Sequence, residues 1–188
     1  MATDARNRLV AAAEGLFYAE GIRAVGVDQL LNRSGVGRAS FYRHFASKDD
    51  LVVATIRSYG TRWRRWLADE VAARGGDPLT VFDALADRFA GTEFRGCAAI
   101  NTMVEAADPD SPAHWAATEH KQSVIDYLDG LLSAAGHRDH AALAEKLMLL
   151  VDGATVTALR RRDRSAAHDA RAIAEVLLSA RSDRQEPR

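Results

Sequence analysis

The sequence holds a single cysteine, Cys97, among its 188 residues. One thiol excludes an intramolecular disulfide and fits a reducing compartment. No apolar run approaches the ~20 residues that a membrane-spanning helix needs. Met1 to Arg8 is polar where a secretion signal would carry an apolar core. A cytoplasmic protein with no membrane partner is expected. Strand-like alternation is missing, and proline and glycine cluster at breaks rather than at the even short spacing of a β-sandwich or barrel. Net charge is nearly missing as well, at −1, so a nucleic-acid partner would have to be met by a local patch. There is no phosphate loop, no HExxH and no G-x-S-x-G, which leaves an enzyme without visible machinery. His114 and His120 are six apart and off-face, and His137 and His140 flank a turn. No metal site and no cofactor are expected.

What is present is helix, nearly throughout. Leu9, Val10, Ala13, Leu16 and Phe17 recur at helical spacing until Gly21. Val27, Leu30 and Leu31 mark a second helix closed near Gly35, and a third runs from Arg38 to His44. Ser47 caps a long fourth helix, with Asp50 three residues on completing a capping box. It carries Leu51, Val52, Ile56, Tyr59, Trp63, Trp66 and Val71 and stops at Gly75-Gly76. Asp77-Pro78 reads as the N-cap and first residue of a fifth helix. A short sixth follows the Gly91 to Gly96 loop, and Ser111-Pro112 starts a seventh that ends at Gly136. Asp139 starts the eighth and Ser165 caps the ninth. The expected architecture is all-α, with about nine helices. A three-helix helix-turn-helix DNA-binding domain spans residues 1–48. A helical ligand-binding and dimerisation domain spans 49–181, and 182–188 form a disordered tail.

Function concentrates between Val27 and Phe45. Two short helices joined through Gly35 and Gly37 make a helix-turn-helix pattern. Phe41 and Phe45, four apart, share one face of the second helix, and Val36 in the turn can join them. The other face shows Ala39, Ser40, Tyr42 and Arg43, with Arg38 and His44 at its edges. No carboxylate occurs from Gln29 to Ser47, while Arg33, Arg38, Arg43 and Lys48 are cationic. Such a patch suits the phosphate backbone. Tyr42 and Ser40 can donate to phosphate oxygens, Arg38 or Arg43 can reach guanine O6 and N7, and Ala39 permits close approach. Periodicity alone also allows a helical hairpin with a solvated basic face.

Residues 8–56 resemble the DNA-binding domain of the TetR family. The resemblance lies in Ala13-Glu14-Gly15-Leu16-Phe17, Gly21, Ser34-Gly35-Val36, Phe41-Tyr42-Arg43-His44-Phe45 and Ser47-Lys48-Asp49-Asp50-Leu51. It implies that Tyr42, His44 and Lys48 contact phosphates and that Arg38, Ala39, Ser40 and Arg43 lie near bases. The chain departs from the family pattern at Gly26-Val27, where a hydroxyl is usual. A phosphate contact at Val27 would fall to the backbone N–H groups of the helix start. It departs again at Gly37, an acceptable cap where serine is usual.

Residues 78–181 are similar, more loosely, to a common C-terminal type in that family. The similarity runs through Phe94-Arg95-Gly96-Cys97, Asn101, Glu105, Pro109, Pro112 and Leu149 to Ala154. It implies a homodimer joined by the last two helices and an effector pocket among the middle ones. Leu150, Ala154, Ala158, Ile173, Val176 and Leu177 are the candidate dimer contacts, with intramolecular core as the other reading. Trp63, Trp66, Phe82, Phe89, Asn101, Met103, Glu105, Trp115 and Tyr127 are the candidate pocket residues; for each aromatic, ordinary core packing is the stronger reading. Cys97 is either structural or, at a helix start that favours a thiolate, a sensor.

The expected function is transcriptional repression, with double-stranded operator DNA and a small-molecule effector of unknown identity as partners. The alternatives are a helical-bundle enzyme and an interaction module that does not bind DNA. A regulator's DNA binding should fall steeply with salt, and an interaction module's should not.

Overall fold

The computed structural model describes residues 2–106 and 108–182; residues 183–188 of the expected tail lie outside the described residues. Among the described residues there are nine helices and no strand. They are α1 (Ala2–Glu20), α2 (Val27–Ser34), α3 (Arg38–His44), α4 (Lys48–Ala73), α5 (Thr80–Phe89), α6 (Ala98–Ala106), α7 (Pro112–Ala134), α8 (His140–Arg161) and α9 (Ser165–Ser182). No described helix is long and apolar enough to cross a membrane.

Most boundaries follow from local chemistry. Gly21 (φ +92°) and Gly35 (φ +64°) end α1 and α2 in left-handed conformation, which costs a side chain without Cβ little. The Ser47 box forms reciprocally. Asp50 Oδ2 accepts from the Ser47 N–H (2.9 Å) and Oγ (3.0 Å), and Ser47 Oγ accepts from the Asp50 N–H (3.1 Å). Ser111 Oγ accepts the His114 N–H at the start of α7 (3.2 Å).

Two starts differ from expectation. Asp77-Pro78 does not open α5 directly. Thr80, Val81 and Phe82 donate to the carbonyls three residues back, making a tight turn that delays the helix to Thr80. Asp77 Oδ1 accepts the Leu79 N–H (2.8 Å). At α9 the cap is Asp163 rather than Ser165. Its Oδ1 accepts from the Ser165 N–H (2.9 Å) and Oγ (2.6 Å), which holds the carboxyl below its usual range.

The chain divides into two compact units. The first comprises residues up to Trp63 with Ala98–Lys121, and the second comprises Arg64–Cys97 with the residues from Gln122 onward. The first unit therefore reaches past residue 48, because α6 and the start of α7 pack on it. Arg57 of α4 forms a two-pronged pair with Glu119 of α7 (3.1 and 3.3 Å). Its core joins Leu9, Val10, Ala13 and Phe17 of α1 to Val25, Leu30, Val36, Phe41, Phe45, Leu51 and Val52. Burying each large apolar side chain contributes roughly 1.5–3 kcal/mol.

In the second unit α5, α8 and α9 pack together. Ala166, Ala167, Ala170 and Ala174 are buried on α9, and small side chains of this kind let neighbouring backbones approach closely. Phe82, Leu85, Leu128, Leu132, Leu143 and Leu147 fill the interior. Arg171 of α9 pairs with Asp83 of α5 (3.3 Å), and Arg74 pairs with Asp87 (2.8 Å) and with Glu70.

Candidate nucleic-acid interface

The turn between α2 and α3 is built by three residues. Ser34 Oγ donates to the Leu31 carbonyl (3.3 Å) and accepts the Val36 N–H (3.3 Å). Gly35 reverses the chain, and Val36 is buried. Gly37 begins α3 without a side-chain cap, its carbonyl accepting from Ser40 (2.9 Å) and Phe41 (3.0 Å). Phe41 is fully buried and Phe45 nearly so, their ring centroids 6.0 Å apart. That contact fixes the roll of α3 and turns its other side outward.

The outward side carries the residues expected from the sequence. Arg38, Ala39, Tyr42 and Arg43 are exposed and Ser40 is half-buried. Tyr42 exposes 51% of its surface and sets its ring edge against Phe41 (5.1 Å, 82°). The apolar part of the phenol is thereby held while the residue remains open to a partner. Arg6 of α1 lies over the Phe45 ring at 5.5 Å.

The other candidates sit less simply. Val27 is half-buried behind Gly26, an N-cap that provides no side-chain bond. Lys48 Nζ donates to the carbonyls of Ile22 (2.8 Å) and Val25 (3.0 Å), which leaves one of its three N–H bonds for a phosphate. His44 is half-buried, and its Nε2 is enclosed without a hydrogen-bond partner among the described residues.

One residue of this surface escaped the sequence reading. Asp28, in the first turn of α2, accepts from Arg38 Nη2 across the turn. The signal was available, since Asp28 is the one carboxylate between Gly21 and Lys48.

The candidate effector residues divide between the units. In the first, Trp63, Asn101 and Met103 are half-buried, and Trp115 is 56% exposed. Glu105 is already engaged. Its Oε2 accepts the Arg23 N–H and its carbonyl accepts from Arg23 Nε, each at 2.9 Å. In the second unit Phe82 and Phe89 are buried, the latter against Phe94 with centroids 4.8 Å apart. Trp66 is half-buried with the Arg88 guanidinium over its ring at 4.9 Å. Tyr127 is half-buried too, and burial, helped by the charge of Asp69, raises its pKa. Cys97 is half-buried just before α6.

The candidate dimer residues also divide. Ala154 and Ala158 are buried within their own unit and have little surface to offer a second copy. Leu150 and Leu177 are half-buried, while Ile173 and Val176 are exposed. The structure adds Leu149, 72% exposed, with Val156 and Leu159 on α8. Periodicity could not separate these from the buried stripe, because both sides of α8 are apolar.

Residues 9–55 match a family described as bacterial regulatory proteins, tetR family. The chain resembles SCO4454, a TetR-family transcriptional regulator from Streptomyces coelicolor, with 30% identity and a TM-score of 0.77 over 92% of this chain and 95% of that one. It is 23% identical to the HTH-type transcriptional regulator YjdC of Escherichia coli over 92% of this chain and 93% of YjdC. It also matches an HTH-type transcriptional regulator in the lacX 3' region of Lactococcus lactis at 23% identity, spanning 53% of this chain and 54% of the other.

Proposed function

Because the chain belongs to the TetR family and is a helix-turn-helix DNA-binding transcriptional regulator, we propose that it is a cytoplasmic repressor released from a palindromic operator by a small organic effector. The observation that carries this reading is the outward face of α3, where Ala39, Ser40, Tyr42 and Arg43 stand opposite the buried Phe41 and Phe45. Arg38 and Arg43 read base edges, Ala39 permits close approach, and Ser40, Tyr42, His44 and Lys48 position the helix on phosphates. The N–H groups at the start of α2, around Val27, supply a further phosphate contact.

Repression of a palindrome requires two recognition helices about 34–36 Å apart, hence a homodimer. The exposed apolar side chains of α8 and α9 support one. Leu149 and Val156 are seven apart on one face, and Ile173 and Val176 are three apart on another. A second copy covering both would remove from water a surface that a monomer has no reason to expose. Effector binding is assigned to the second unit, where Trp66 and Tyr127 combine half-buried rings with polar ends. The effector and the operator then weaken each other's binding by the same factor.

The test is a titration against DNA from the protein's own upstream region at several salt concentrations, with Arg43→Ala and Tyr42→Phe alongside. A dimer on a palindrome with a steep salt dependence is expected, and Arg43→Ala should cost about tenfold or more in affinity. If neither that DNA nor a selection from random sequence yields a preferred site, the reading is wrong.

A further inference from the structure

We propose that Asp28 is a positioning residue for DNA recognition: its carboxylate holds the Arg38 guanidinium off the phosphate backbone and aims it at a guanine edge. The inference rests on the operator-binding reading above.

Three observations lead to it. Asp28 is the sole carboxylate in the 21–48 segment; Glu20, just before that segment, accepts from Gln29 Nε2 (2.8 Å). It reaches from the first turn of α2 to the first residue of α3, pairing with Arg38 Nη2. Among the described residues Arg33 and Arg43 form no ion pair, so Arg38 is singled out from the neighbouring cations.

The pair has little to do for folding. Both side chains are mostly exposed, at 55% for Arg38 and 79% for Asp28, and exposed pairs contribute little to stability. Beside DNA the same pair acts differently. A carboxylate at this surface repels every duplex equally, whatever its sequence. It also cancels the charge with which Arg38 would otherwise grip any phosphate.

The guanidinium offers five N–H donors in a rigid fork. Asp28 takes one from Nη2, leaving the second Nη2 hydrogen and those of Nη1 for the O6 and N7 acceptors of guanine. Fixing the fork lowers the entropy lost on docking. Repelling phosphate lowers the affinity for the wrong DNA, and discrimination is the difference of the two.

The experiment uses the full chain and the site that the wild type enriches from random-sequence DNA. Binding to that site and to random duplex is measured over a range of salt for the wild type, Asp28→Ala, Arg38→Ala and the double variant. Asp28→Ala should bind random duplex several-fold tighter, its log–log salt slope steeper by about 0.9 from one more phosphate neutralised. Its preference for the selected site over random duplex should fall at least tenfold. In the Arg38→Ala background the same substitution should leave that preference unchanged. A preference unaltered by Asp28→Ala, or a loss that persists without Arg38, overturns the proposal and leaves the operator-binding reading intact. If the wild type enriches no site, the operator-binding reading itself fails, and the proposal with it.

Discussion

Acidification should weaken the fold through one imidazole, and the size of the effect follows from its surroundings. His120 of α7 is 6% exposed. It meets Tyr59 and Trp63 of α4 edge to face, with centroids 5.6 and 5.4 Å away. It also lies so close to Gly60 that a Cβ there would stand 2.9 Å from Nδ1. Burial, and secondarily the charge of Lys121, lowers its pKa from 6.5 to about 4. The folded chain therefore keeps this ring neutral at a pH where the unfolded chain has already bound the proton. Stability from this source is complete above pH 6.5 and drains away as pH falls toward 4. At 1.36 kcal/mol per unit, the 2.5 units correspond to about 3 kcal/mol. The assay is urea unfolding from pH 7.5 to pH 4 for the wild type and His120→Phe. Contributions from other titrating groups cancel in the difference between the two proteins. The wild type should lose about 3 kcal/mol more than the variant over that range. Parallel stability curves would refute the argument, since they would mean that His120 is protonated as readily folded as unfolded.

Three further outcomes are expected. Ser47→Ala removes both hydroxyl bonds of the α4 capping box and should cost about 1 kcal/mol, read as a lower Tm. Gly21→Ala forces a side chain into φ +92° and sets its Cβ 3.2 Å from Glu105 Oε2; a loss of about 1–3 kcal/mol in denaturant unfolding is expected. Leu149→Glu, at a position 72% exposed in the single chain, should leave the helical circular dichroism unchanged. It should convert a dimer to a monomer in sedimentation velocity and weaken operator binding with it.

Much of the helical layout was legible in the sequence because its causes are local. Gly35 ends α2, the Ser47 and Asp50 pair starts α4, and the four-residue spacing of Phe41 and Phe45 predicts which side of α3 turns inward. Each depends on residues within a turn or two of chain. The starts of α5 and α9 were misread for a related reason. A cap is chosen among neighbouring acceptors by backbone geometry, and Asp163 reaches the Ser165 N–H.

Other features arise only when distant segments meet. Glu105 looked like a polar group for a ligand, yet it is 82 residues from Arg23 in sequence and bonded to it in space. Lys48 carries the charge a phosphate contact needs, but two of its donors are fixed by carbonyls of the turn after α1. On α8, Ala154 and Leu149 belong to different apolar stripes, and periodicity treats them alike. Alanine lies inward and leucine outward because other helices of the same unit already fill the space beside the first. Local sequence thus determined where most helices begin and end and which faces are apolar, since those depend on short-range bonds and period. Which of two apolar faces is buried on a helix such as α8, and which charges are already spent, was decided by the neighbours that tertiary packing brings.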